Sequence, residues 1–191
     1  MLRKIEIWQL EPRPRKVASV GEELFEEYLE KKRRLLPNDL GTNWFGRMMA
    51  TLFRNSKAAI NFTVVDVTGA SRTIAERVST VTGTIFNTTY NYDCGAYIGV
   101  GTGTTSPTKT DYKLVSEVAR QPATAAFTDG ADTFTVSATF SLASDADIYE
   151  VGLFWKEGNN GYVWLLDRTV LSSPVRFPAN TAMSVAYVFA I

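Results

Sequence analysis

From Ala59 onward, hydrophobic residues recur at every second position in short runs broken by turn-forming residues. The clearest run is Thr133–Leu142, where Phe134, Val136, Ala138, Phe140 and Leu142 share one face and Thr and Ser the other. That alternation is the mark of a half-buried antiparallel strand. Ala182–Ile191 repeats it with Met183, Val185, Tyr187, Phe189 and Ile191. Further strand-like runs lie around Ile60–Val64, Ile74–Thr88, Ala96–Val100, Val115–Phe127, Ile148–Trp155 and Tyr162–Leu171. Asp129-Gly130, Gly158–Gly161, Ser172-Ser173-Pro174 and Pro178-Ala179-Asn180 supply turn signals between them. Short strands at near-regular spacing predict a mainly β fold for residues 58–191, an antiparallel β-sandwich that is jelly-roll-like or immunoglobulin-like.

Residues 1–57 follow other patterns. Lys4–Leu10 alternates with apolar groups on both sides, Ile5 and Ile7 on one face and Trp8 and Leu10 on the other. This predicts a strand covered twice, or an arm that pairs with a neighbour. Pro12 and Pro14 make Glu11–Lys16 a stiff extended linker. From Ser19 the spacing turns helical: Leu24, Phe25, Tyr28, Leu29, Leu35 and Leu36 recur at three and four residues, and Ser19 with Glu22 has capping-box spacing. Pro37 ends that helix, and a second is expected near Asn43 with Trp44, Phe45, Met48, Met49, Leu52 and Phe53 in its stripe. Two such helices carry more apolar surface than they can hide in each other. They either cover a sheet or form an interface, with Ile5, Ile7, Trp8, Leu10, Phe25, Tyr28, Trp44, Phe45, Met48 and Met49 as the candidate partner-binding residues.

Charge sharpens this division. The whole chain is neutral, which gives no reason to expect nucleic acid as a partner, but residues 1–57 carry +4 and residues 58–191 carry −4. That split reads either as two solvated surfaces of opposite sign or as an N-terminal part that docks on an acidic neighbour, such as another copy's β-domain. There is no histidine, which removes the Ser-His-Asp triad, the commonest zinc ligand and most general-base chemistry near neutral pH. The single cysteine, Cys94, leaves no partner for an internal disulfide. No apolar run reads as a secretion signal or a membrane-spanning helix, so an aqueous setting without membrane or cofactor is expected.

Four constellations resemble chemistry. Gly99-Val100-Gly101-Thr102-Gly103 follows a strand as a dinucleotide fingerprint would, but the third glycine is misplaced and no helix follows; these glycines are expected to permit a turn with positive φ. Asp145, Asp147 and Glu150 form the densest carboxylate group; they could ligate calcium, but the spacing fits no EF-hand loop and the ligand glycine is missing, so a turn followed by a strand is the expected reading. A glycosidase pair could be drawn from these or from Asp129 and Asp132, although carboxylates are scattered through every β-protein. Trp155, Tyr162 and Trp164 flank a hairpin and could stack on sugar rings, although strand alternation sends two of the three into the core.

The ordered set IGVGTGTTSPTKTDYKL (Ile98–Leu114), EVAR (Glu117–Arg120), EVGLF (Glu150–Phe154), LLDRTVL (Leu165–Leu171) and the ending from Ala179, preceded by NWF at Asn43–Phe45, resembles a module of tailed-phage virion proteins of tail-fibre, neck and head-decoration type. That resemblance covers about Trp44 to Ile191. It implies a non-enzymatic β-rich part of the virion that associates with copies of itself and with other virion proteins, with no catalytic residues to transfer. Residues 1–41 lie outside the resemblance and are expected to anchor the chain or set its symmetry. A module in which loops hold a host-surface glycan is the alternative.

Overall fold

The computed structural model describes residues 3–10, 14–20, 60–76, 95–127, 133–156 and 161–190. These form β1 (Arg3–Gln9), β2 (Arg15–Val20), β3 (Ile60–Val65), β4 (Ser71–Glu76), β5 (Gly95–Gly101), β6 (Glu117–Pro122), β7 (Thr124–Phe127), β8 (Thr133–Ser141), β9 (Ala146–Lys156), β10 (Val163–Phe177) and β11 (Ala182–Ala190). Every pairing is antiparallel. One sheet runs β2-β1-β11-β8-β7, a second β10-β9-β5-β6, and β3 and β4 form a hairpin. The fold is mainly β.

Alternation along the strands decides what each sheet buries. Ile5 and Ile7 on β1, Val136, Ala138 and Phe140 on β8, and Met183, Val185, Tyr187 and Phe189 on β11 all join one core. Ile98 and Val100 on β5, Val151, Leu153 and Trp155 on β9, and Trp164 and Leu166 on β10 join it from the other sheet. Phe134 stacks on Phe189 with ring centroids 4.7 Å apart, and Phe140 meets Phe177 edge-on at 6.3 Å, in the geometries aromatic pairs prefer. The chain passes from the second sheet to the first at Ala123, whose N–H donates to the Ala96 carbonyl (2.9 Å), so the single run expected over Val115–Phe127 is two strands in two sheets.

At the N-terminus the strand expected over Lys4–Leu10 forms, as β1, within the chain's own sheet. β1 pairs with the chain's own β11 from Arg3↔Phe189 to Gln9↔Met183, and Ile5 and Ile7 are buried in the chain's own core. Trp8 and Leu10 are half-buried; the Trp8 indole donates to Glu6 (3.2 Å) and the Leu10 N–H to the Ala182 carbonyl (2.8 Å). Ser19, read as a helix cap, lies in β2 opposite Glu6, and the extended linker gives way to strand at Arg15. Local capping spacing lost here to the pairing energy of a whole strand. The two predicted amphipathic helices, with Phe25, Tyr28, Trp44, Phe45, Met48 and Met49, lie outside the described residues.

Two further boundaries moved. Ser172-Ser173-Pro174 is not a turn between strands; it sits inside β10, in an irregular stretch where the pairing with β9 skips from Val170 to Val175. A bulge absorbs the proline's missing donor without ending the strand. The turn at Pro178–Asn180 does form, with Asn180 at φ 54° and its N–H on the Leu142 carbonyl (2.7 Å). β11 is central, between β1 and β8, which is where an apolar strand escapes edge pairing. Replacing Ile7 by Ala on β1, the strand that pairs with β11 on that side, should cost about 2–4 kcal/mol, measured as a lowered urea midpoint with unchanged slope.

Candidate functional site

The second sheet carries its polar machinery on the face away from the main core. On β9, Leu153 and Trp155 point into that core, which sends Phe154 to the opposite face with Leu114 and Leu165, where Val67, Tyr97 and Val163 pack around them. Gly99 and Gly152 face each other across β5 and β9, and the Phe154 ring lies over both. A Cβ at either glycine would come within 2.8 Å of that ring. The Arg120 guanidinium caps the ring from above, 4.2 Å from its centroid.

Along the same face the connection from β5 to β6, Thr102–Ser116, is tied down by one carboxylate. Glu150 is fully buried and accepts from the backbone N–H of Gly103 (3.1 Å), Val115 (3.1 Å) and Ser116 (2.7 Å), and from Arg168 Nε (2.7 Å). Arg168 is itself buried, and its other two nitrogens donate to Asp111 Oδ2 (2.9 Å) and to the Thr105 carbonyl (2.8 Å). Asp111 also takes the Thr108 N–H (3.0 Å) and hydroxyl (2.6 Å). Burial would raise the Asp111 pKa; the bonds from Thr108 and Arg168 outweigh it and hold the carboxyl below its ordinary value. Both ends of the loop and its middle are thus pinned to one ion pair.

The glycines of the loop serve this pair. A Cβ on Gly101 would stand 2.5 Å from the Ser116 carbonyl and 2.7 Å from the Glu150 carboxylate, and one on Gly103 2.5 Å from that carboxylate. Neither glycine has positive φ; the positive-φ glycines among the described residues are Gly69 and Gly161. The sequence expectation of a left-handed turn is therefore replaced by close approach: the backbone must come within hydrogen-bonding range of a buried acid.

A break in the ladder puts Arg168 on this face. The β9–β10 register skips Leu166 between Leu165 and Asp167. Trp164 and Leu166 both reach the main core, and the pair Asp167 and Arg168 then divides. Asp167 points inward, bonded to Arg3 and accepting the Tyr187 hydroxyl (3.1 Å) and the Thr169 hydroxyl (3.2 Å), while Arg168 points outward to Glu150. One inserted residue supplies both polar anchors.

The remaining candidates have structural surroundings. Asp145 and Asp147 both receive the exposed Arg176 guanidinium, at 2.6 and 3.0 Å, and Asp145 also takes the Ala179 N–H (2.7 Å). The Ala179 bond first, then Arg176, keeps the Asp145 carboxyl below its ordinary value. Glu150 belongs to a different network, so the three carboxylates read together in the sequence are not one group. Trp155 and Trp164 are opposite each other in the ladder and buried in the core, which removes them as sugar platforms; Tyr162 is half-buried under the Arg72 guanidinium, 4.5 Å away. Asp129 and Asp132 lie outside the described residues. Among the described residues no cluster of His, Cys, Asp or Glu is placed to hold a metal ion.

Sequence reasoning passed over Arg168, Asp111, Asp167 and Asp66. Asp66 closes the β3–β4 turn, accepting from the Thr68 N–H (2.9 Å) and hydroxyl (2.5 Å), the Ala70 N–H (3.1 Å) and Arg72 Nε (2.7 Å). Burial pushes its pKa up, but these donors together bring it to about 2. The adjoining Val67 N–H donates to the Val163 carbonyl (2.9 Å), docking the hairpin on the edge of β10. The available signal was charge inside apolar strand runs: Glu150 heads EVGLF, and Asp167-Arg168 interrupts VWLLDRTVL.

No family model matches the chain, and no curated protein or solved structure does so either.

Three expectations follow from this geometry. Glu150→Gln or Arg168→Ala leaves a buried partner uncompensated and should cost about 3–5 kcal/mol in chemical denaturation; the double replacement Glu150→Met with Arg168→Met should not restore it, because three loop N–H groups still lose their acceptor. Gly103→Ala should cost about 1–3 kcal/mol through overpacking against the carboxylate. As for acid, Asp66 falls from an ordinary 3.8 to about 2 in the fold, and Asp111 and Asp145 are also depressed. Their stabilisation is complete above the unfolded value and is lost as pH falls through the folded one. Urea midpoints should be level near neutrality and drop between pH 4 and pH 2, with Asp66→Asn flattening part of that fall.

Proposed function

We propose that the chain is a non-enzymatic structural protein of a tailed-phage virion, which assembles with copies of itself and docks on other proteins of the particle. Within this reading the two sheets that share one core are the layers of a β-sandwich. The observation that carries the proposal is where the resembling segments meet. Gly101 and Gly103 from the IGVGTGTT run, Asp111 from the loop, Glu150 from EVGLF and Arg168 from LLDRTVL lie far apart in the chain and converge on one buried network. Arg120 of EVAR and Phe154 of EVGLF meet beside it. Each polar atom of Glu150 and each side-chain nitrogen of Arg168 is used to position backbone or a neighbouring side chain. That is the use of charge expected of a scaffold that must present a fixed loop.

A second reading, a host-surface glycan module, moves away from the tryptophans to that loop. Thr104, Thr105, Ser106, Thr108 and Thr110 are exposed on a backbone held from beneath by Arg168 and Asp111. Hydroxyls on a fixed loop are suited to sugar hydrogen bonding. Assembly in the host cytoplasm and residence in the virion belong to the first reading. Light scattering on the purified full chain decides between them: a discrete oligomer is expected, and a monomer that binds a glycan array, with binding lost on Thr105→Ala or Thr108→Ala and the fold retained, would overturn it in favour of the second.

A further inference from the structure

The β1–β2 hairpin is held to the rest of the chain by contacts that are indifferent to which chain provides them. β1 lies against β11 along its whole length, places Ile5 and Ile7 in the core, and sends Arg3 across to Asp167 on the other sheet. Residues 21–59 then separate the hairpin from β3, so that a long stretch of chain stands between donor and acceptor. Charge favours the same docking: residues 1–57 carry +4 and residues 58–191 carry −4. An empty place beside β11 is strongly disfavoured, since it would bare an apolar strand edge and strip the buried Asp167 of the Arg3 cation.

We propose that this hairpin is the exchangeable element of assembly, and that its occupant in the oligomer is the hairpin of a second copy: β1 of one chain fills the place beside β11 of the next. The proposal rests on the reading of the chain as self-assembling. It adds which surface does the work. Exchange of an identical element requires no new interface chemistry, because every bond made in trans already exists in cis. Reciprocal exchange closes a dimer, and donation in one direction closes a ring where the rotation between neighbours closes and otherwise builds a filament.

Cysteine pairs at positions opposed in the ladder report which chain supplies the strand. Gln9→Cys with Met183→Cys, and separately Trp8→Cys with Ser184→Cys, are placed in the full chain with Cys94→Ser and oxidised after the oligomer has been isolated. Denaturing gels without reductant should show covalent species at multiples of the chain mass. Their share should rise with the protein concentration at refolding, and reductant should collapse them. An isolated oligomer in which both pairs give only a single-chain band, or no bond at all, overturns exchange while leaving self-assembly standing. Full-length chain that never forms an oligomer overturns the self-assembly reading and exchange with it.

Discussion

The buried pair of Glu150 and Arg168 sets the conditions for everything on the outer face of the second sheet. A carboxylate and a guanidinium removed from water are costly, and their mutual attraction recovers that cost only when the remaining donors and acceptors are also met. Here they are met by the loop: Gly103, Val115 and Ser116 give their N–H groups to the acid, and Thr105 and Asp111 accept from the base. The dependence runs both ways. Without the ion pair the loop has no acceptor for three backbone donors, and without the loop the ion pair is too expensive to bury. This explains why glycine stands at 101 and 103, where a single methyl group would displace the carboxylate.

The same strand that delivers Arg168 outward delivers Asp167 inward, and the second delivery joins the two sheets. Arg3 from β1 and Tyr187 from β11 both reach Asp167 on β10. Hydrophobic burial brings the sheets together but is tolerant of sliding. An ion pair and a phenol hydrogen bond at a fixed point are not. The inward anchor therefore sets the register of the N-terminal strand against the other sheet, while seven opposed residues set it against β11. Both anchors depend on the residue skipped at Leu166, since a regular ladder would send Asp167 and Trp164 to opposite faces.

Most of the strand layout was legible because period-2 alternation is a local signal. Phe134, Val136, Ala138 and Phe140, and Met183 through Phe189, declare their inner faces without reference to any partner. What was not legible is non-local. Ser19 and Glu22 satisfy a helix-capping pattern over four residues, yet Ser19 lies opposite Glu6, a relation that no window around Ser19 contains. The glycines of GVGTG have the same difficulty, for their reason is a carboxylate some fifty positions later in the chain. Pairing of Glu150 with Arg168 likewise follows from the register of β9 on β10, and register depends on a bulge that leaves no mark in composition. The visible trace was only that charge sits within apolar runs.

That trace is nevertheless informative about what kind of site this is. A catalytic acid or base must keep a lone pair or a proton available for something that is not part of the fold. Glu150 gives its oxygens to four donors from its own chain, and Arg168 gives its nitrogens to three acceptors. Replacing a buried ion pair by an apolar pair of similar volume is often neutral or stabilising, because the desolvation cost of the charges is recovered. Here it would be neither, because the acid stands in for the hydrogen-bond partners that a strand or helix would have given to Gly103, Val115 and Ser116. The charge is therefore kept to hold backbone in an irregular path. What the chain gains from the arrangement is a loop, rich in exposed threonine, whose shape is fixed from beneath by the most buried polar contacts on that face.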